Sequence, residues 1–393
     1  MPQGSDIEVA IVGAGLMGAA TAWQLARRGH SVVLIESFAP GHRRGSSHGS
    51  SRIYRLAYTD PFYARLAGRA GESWRELEAD TGESLLRTTG GLDTGTNRDP
   101  ALLAAALTDA GVPHELLSAA AAHERWPQFH FGNRLSMAGH GRDVASSAGA
   151  APGETILYHP TAGTIDADAT IRACVRRAAE LGARVLTGMR VASAEPLSGG
   201  RIRVLGDGLD LVADTLVVAA GGWLPELAEG IGVPLGLPPL TVTQQEVFHF
   251  RQRDPDVQWP TFVDKAEIQI FGLPSGTDGG PEPTIKVARY DGGLVTTASA
   301  RDGVVNPEHR ATVADYVRRR LPGLDPEPVA EASCLFTSTP TEDFVLDRRG
   351  PVVVVSPCSG HGAKFAPLIG ELAADLAVGR AEPLPRFALP RAG

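Results

Sequence analysis

The stretch Ile7-Glu-Val-Ala-Ile-Val-Gly13-Ala-Gly15-Leu-Met-Gly18 decides the fold, and Glu36 follows it 18 residues after the last glycine. Ile7 to Ile11 has the unbroken apolar character of a buried parallel strand. Met17 to Arg28 reads as a helix stopped by Gly29, and Val32 to Ile35 as a second strand. In such a unit the first glycine permits the tight turn and the second lets the backbone approach a pyrophosphate. The third lets the helix pack closely on the strand, with the phosphate at the helix N-terminus. Glu36 stands where a carboxylate takes the ribose hydroxyls. The motif leaves NAD, NADP and FAD open, although an acid at this position disfavours a 2′-phosphate.

Outward from this unit, Gly41 to Ser51 is a polar, glycine-rich loop, and Phe62 to Asp80, Pro100 to Ala110 and Ala119 to Trp126 have helical patterns. Gly163 to Asp168 reads as a turn before a helix over Ala169 to Leu181, with short strands near Val185 and Val191. Arg201 to Val218 alternates as a hairpin. Leu240 to Ala300 is strand-rich with a Gly/Pro insert at 276–283, and Asn306 to Leu321 is helical. Val352 to Val355 is a buried strand, and Pro367 to Leu376 a closing helix. The expected class is α/β (α+β): a Rossmann-like half built from 1–90, 146–228 and 325–393, interleaved with a β-rich substrate half from 91–145 and 229–324.

Composition narrows the function. The chain of 393 residues carries a net charge of −8, which argues against nucleic acid or an anionic membrane as partner. No apolar run reaches the length of a membrane span, and the short polar start, Met1 to Glu8, is not expected to be a signal peptide. Cys174, Cys334 and Cys358 have neither metal-site nor disulfide spacing, so no metal and a reducing, cytoplasmic setting are expected. Of 37 Lys plus Arg, only Lys265, Lys286 and Lys364 are lysine, which leaves 34 arginines. Where arginine has replaced lysine this thoroughly, a surviving lysine marks a need for a compact ammonium on a flexible stem. Lys265, among polar neighbours, reads as the surface exception.

Three further stretches act together: Gly45-Ser-Ser-His48-Gly-Ser-Ser-Arg52-Ile-Tyr-Arg55, Val217-Val-Ala-Ala-Gly221-Gly-Trp223 and Ser359-Gly360-His361-Gly362-Ala-Lys364. With them the chain resembles the monomeric sarcosine oxidase and N-methyltryptophan oxidase group of FAD-dependent amine oxidases, within the wider D-amino-acid-oxidase-like family. The resemblance runs over nearly the whole chain and is strongest in residues 7–95 and 330–370.

It implies FAD, with Gly13, Gly15, Gly18, Glu36, Ser46, Val191, Gly221, Trp223, Gly360, His361 and Gly362 around it. It also implies a thioether from Cys334 to the flavin; the plainer reading of that cysteine is a small buried hydrophobe. Arg52 and His48 fall where the family places cationic groups beside the flavin ring, and Arg55 and Lys364 where it holds a substrate carboxylate. Lys286 falls where the family places a lysine that favours electron transfer to oxygen. Strand alternation alone allows Lys286 a solvent face or an active-site face. Cys174 and Cys358 are expected to be packing residues.

After Lys286 the relatives commonly continue Gly-aromatic-His. Here the run is Val287-Ala-Arg289-Tyr290, and the 276–283 insert is also unusual. The implied activity is oxidation of a C–N bond in a small carboxylated amine, with oxygen as acceptor and hydrogen peroxide as product, by a monomer. The altered pocket puts sarcosine itself in question and makes a bulkier or cyclic secondary amino acid plausible. A dehydrogenase serving a protein or quinone acceptor, or a flavin-binding subunit of a larger complex, are the alternatives.

Overall fold

The computed structural model describes residues 7–131, 154–266 and 268–390. The initial Met1–Asp6 and the far part of the expected 91–145 segment lie outside the described residues.

Two large sheets organise the chain. In the first, the strands Arg184–Thr187, Val32–Glu36, Ile7–Val12, Leu209–Val218 and Val352–Ser356 lie side by side in parallel. The hairpin partner Ile202–Gly206 and Val191–Pro196 extend this sheet antiparallel from Leu209–Val218. The Ile7–Val12, Val32–Glu36 and Val352–Ser356 strands are buried almost throughout, as expected of parallel strands covered on both faces. Helix Leu16–Ala26 lies on one face between helices Ala167–Glu180 and Ala366–Ala377. Small residues make that crossing possible: a Cβ on Gly370 would stand 2.6 Å from the Ala20 carbonyl carbon.

The second sheet runs through Thr241–Gln252, which is flanked by Thr284–Arg289 on one side and Leu324–Ser338 on the other. Gln269–Pro274 and Thr261–Lys265 continue it to Gly91–Thr94 and Thr155–His159. Two strands from segments expected for the cofactor half, Thr155–His159 and, past its first residue, Leu324–Ser338, thus hydrogen-bond into the β-rich sheet. The aromatic side chains Phe248, Phe250, Trp259 and Phe262 pack with helix Pro307–Arg320 beneath that sheet.

One expected turn is a strand. Gly163–Ile165 bridges Arg52–Tyr54 and Leu86–Thr88 in a three-stranded sheet. Gly163 serves close approach rather than a bend, because a Cβ there would meet the Arg87 carbonyl oxygen at 2.0 Å.

Candidate active site

Two concavities meet between the sheets. A cleft of about 210 Å³ is lined by Gly13, Gly15, Glu36, Val191, Gly221 and Trp223. A larger cavity of about 460 Å³ holds Arg52, Arg55, Lys286, Cys334, Gly360, His361, Gly362 and Lys364. Ser46 and Ser47 line both, so one path runs from the glycine turn to the second sheet.

The cleft fits a dinucleotide. Gly13 has φ +97°, and a Cβ on it would approach the Ala219 carbonyl oxygen to 2.5 Å. Gly15 is the helix N-cap and offers no side chain of its own, which leaves backbone donors at the positive end of the helix dipole. Gly18 lies a turn further in, outside the cleft, where a Cβ would sit 1.8 Å from the Gly13 oxygen. Its task is helix–strand packing. Glu36 is buried at the strand end, and its Oε2 accepts from Ala14 N at 2.8 Å. The hydroxyls of Ser46 and Ser51 are buried without a hydrogen-bond partner, donors that a phosphate or flavin oxygen would satisfy.

In the larger cavity, register explains what sequence alternation left open. His249 pairs with Lys286 on one side of the central strand, and Gln245 pairs with Cys334 on the other. Positions 245 and 249 share a face, so Lys286 and Cys334 do too. Lys286 is 2% exposed. Its Nζ donates to the Ser51 carbonyl at 3.1 Å and meets Asp278 Oδ2 at 2.5 Å. Asp278 also accepts from the Ser50 hydroxyl at 2.7 Å. It comes from the 276–283 insert, which folds back over the Ser46–Ser51 loop. Gly49 makes room: a Cβ there would stand 2.9 Å from Asp278 Oδ2.

Burial and then the Arg52 charge push Lys286 down to about 8, with Asp278 opposing. Burial works against ionised Asp278, yet the Lys286 charge and hydrogen bond hold its carboxyl well below the usual range. Cys334 is buried, and desolvation raises its thiol although Arg52, Arg301 and Lys286 draw it down. The thiol is therefore the resting form.

At the other end, Lys364 Nζ donates to Tyr58 Oη at 3.0 Å and to the His361 carbonyl at 2.5 Å. His361 Nε2 faces the Glu342 carbonyl at 3.0 Å, and its Nδ1 faces Tyr58 Oη at 3.1 Å. A carbonyl only accepts, so Nε2 carries the proton and Nδ1 accepts from Tyr58. Burial and Lys364 push His361 down to about 3, consistent with a neutral ring. Arg55 lies over the Tyr58 ring, with Cζ 4.6 Å from its centre. Trp74 Nε1 donates to the Lys364 carbonyl at 2.7 Å and ties this turn to helix Pro61–Thr81.

Three expectations need correction. His48 does not line the cavity as a cation. Its Nε2 faces the Ser333 carbonyl at 3.0 Å, and burial followed by Arg52 and Arg301 pushes it down to about 3. Lys265 is no surface residue: it is partly buried, lines the larger cavity and places Nζ 5.2 Å from the Tyr290 ring centre. Cys358 also lines the cavity, and its Sγ accepts from Thr337 N at 3.3 Å. Cys174 is fully buried, as expected of a packing residue. Sequence reasoning missed Asp278, Tyr58 and Tyr290; the position of Tyr58, three residues past Arg55, was the one local hint.

A family model described as FAD dependent oxidoreductase matches residues 8–376. The monomeric sarcosine oxidase of Streptomyces avermitilis is 32% identical over 94% of this chain and 93% of its own length. The peroxisomal sarcosine oxidase of Mus musculus is 32% identical over 94% of this chain and 91% of its own. Among solved structures, the open form of NikD, an unusual amino acid oxidase essential for nikkomycin biosynthesis, superposes with a TM-score of 0.81. It is 25% identical and is covered over 98% of both chains.

Proposed function

This chain belongs to the FAD-dependent oxidoreductase family, and on that premise we propose that it oxidises the C–N bond of a small carboxylated secondary or N-methyl amine. The observation that carries this reading is the convergence of Arg55 and Lys364 on the Tyr58 ring, in the cavity that also holds Lys286 and Cys334. Bound FAD would supply the two-electron acceptor for the amine. Gly13, Gly15 and the free amides of the first helical turn hold its pyrophosphate, and Glu36 its ribose. Arg52, tied to the Ser46 and Ser51 carbonyls at 3.2 and 2.9 Å, keeps the loop and a positive charge beside the flavin.

Arg55 and Lys364 fix the substrate carboxylate so that the amine carbon is held in one orientation. Neutral His361 and Tyr58 orient the Lys364 ammonium without adding charge. Cys334 would hold the flavin through a thioether, and Lys286 would supply the charge that favours molecular oxygen as acceptor. The relatives called monomeric support a chain that acts alone, and its three free cysteines favour a reducing compartment such as the cytoplasm.

One observation favours a second reading. Asp278 offsets the Lys286 charge, as suits a dehydrogenase that passes electrons to a protein or quinone instead of oxygen. The test is a panel of N-methyl, cyclic and D-amino acids, scored in parallel by peroxide release and by anaerobic dye reduction. Peroxide at a rate matching dye reduction supports the oxidase; dye reduction without peroxide supports the dehydrogenase. No turnover of any carboxylated amine sinks both.

A further inference from the structure

Of the three lysines lining the larger cavity, Lys286 is matched by Asp278. Lys265 and Lys364 have no such partner, and neither does Arg55: among the described residues no carboxylate lies within ion-pair distance of any of them. Arg55 and Lys364 attend the Tyr58 ring, at 4.6 and 5.6 Å from its centre, and Lys265 attends the Tyr290 ring. The two rings flank one turn, since Tyr58 Oη reaches His361 Nδ1 and Tyr290 Oη donates to the Ser359 carbonyl at 3.0 Å.

Burial first, and then the Arg55 charge, push Lys265 down and Lys364 well down from their ordinary values, so a carboxylate bound beside either lysine would favour its charged form. Nearby acids are in contact with other groups. Asp93 is bound to Arg98 at 2.6 Å, and Asp60 and Asp343 are both taken by Arg386. Glu342 alone remains close to Lys265. Asp60 and Asp343 share the single Arg386 charge, so the surroundings offset part of the cluster from a distance; Arg55 with Lys364 at one ring, and Lys265 at the other, remain two places with no carboxylate in contact. A ring face holds an ammonium in place without neutralising it, and a desolvated charge left unmatched is costly.

We propose that this cavity selects a dicarboxylated secondary amine, with one carboxylate held by Arg55 and Lys364 beside Tyr58 and the other by Lys265 over Tyr290. The proposal rests on the amine-oxidising reading and names its substrate class. A monocarboxylate held by Arg55 and Lys364 would leave Lys265 with no carboxylate in contact. Lysine suits the second position, because a point charge on a four-carbon stem can follow acids of different length.

Sulfur analogues test this without turnover. Thiodiacetate presents two carboxylates across a thioether. (Isobutylthio)acetate has the same heavy-atom shape, with one carboxylate replaced by an isopropyl group. Each is titrated into the flavin-loaded protein and followed by calorimetry and by perturbation of the flavin absorbance. Thiodiacetate should bind about tenfold or more tightly, the effect of one charge-assisted contact. Lys265→Met should bring the two affinities close together, and Lys265→Arg should restore most of the difference. Equal affinities in the unaltered protein overturn the proposal, as does an unchanged ratio in Lys265→Met. Oxidation of monocarboxylated amines without a dicarboxylate preference would sink this inference alone. Tight thiodiacetate binding by a protein that oxidises no amine would keep the subsite and sink the proposed function.

Discussion

Lys286 Nζ and Asp278 Oδ2 meet at 2.5 Å, joining a strand of the β-rich sheet to an insert that local sequence gave no reason to place there. Removing one partner strands the other as a buried charge, with a penalty of about 3 kcal/mol. Asp278→Asn should therefore lower the melting temperature at neutral pH. The folded carboxyl titrates below its unfolded value, so its contribution is present above about pH 4 and is lost as pH falls further. The gap between variant and parent should accordingly close in acid. Equal melting points at pH 7 would deny the pair a structural role.

On the oxidase reading, the same pair should tune oxygen use. Lys286 is charged below about pH 8, so oxygen consumption by pre-reduced protein should be fastest below that value and fall above it. Asp278→Asn removes the largest interaction that raises the lysine, which moves the midpoint to lower pH. Lys286→Met should keep anaerobic reduction by substrate and lose most oxygen reactivity. The double variant Lys286→Met/Asp278→Asn should recover the stability that the single one loses. Stopped-flow traces across pH 6–10, chosen as a span of about two units on either side of pH 8, check each statement. A flat profile counts against the role of Lys286.

Cys334→Ser should release yellow flavin into the supernatant on acid precipitation, while the parent pellet stays coloured. Because burial raises the thiol, covalent loading of the apoprotein should speed up as pH rises. A colourless parent pellet refutes the linkage.

Gly13→Ala places a methyl group 2.5 Å from the Ala219 oxygen at a positive φ. Strain of about 1–3 kcal/mol at such a site should appear as reduced flavin content per protein after purification. Unchanged content would mean that the turn relaxes more freely than its contacts suggest.

Trp74→Phe removes the donor to the buried Lys364 carbonyl. The unmet acceptor should cost about 1–3 kcal/mol, read as a lower melting temperature, with KM rising more than kcat falls because the ammonium loses its fixed position. A change in kcat alone would contradict this positioning role.

Much of the cofactor side was legible in the chain because its determinants are local. Gly13, Gly15, Gly18 and Glu36 fall within one strand–helix–strand unit, and their local contacts explain most of their roles, the Ala219 contacts of Gly13 and Gly18 and the Ser47 contact of Gly15 excepted. The substrate side is built from distant pieces. Alternation gave Lys286 two possible faces until its register with His249 and Gly49's proximity were known. Lys265 looked superficial because Asp264 precedes it. Yet Asp264 is buried and answered by Tyr316 at 2.9 Å and Arg320 at 3.7 Å, from a helix some fifty residues on. His48 was read as a cation from the resemblance, which places cationic groups beside the flavin ring; the neighbouring arginines are part of why it is neutral.

A chain whose three lysines all face one cavity is chemically silent over the rest of its surface to reagents that seek side-chain amines. The side-chain labels left by an acylating or reductively methylating probe would footprint the pocket alone. Ligands could then be screened by mass spectrometry through the amines they shield, site by site, with no need for the ligand to be turned over.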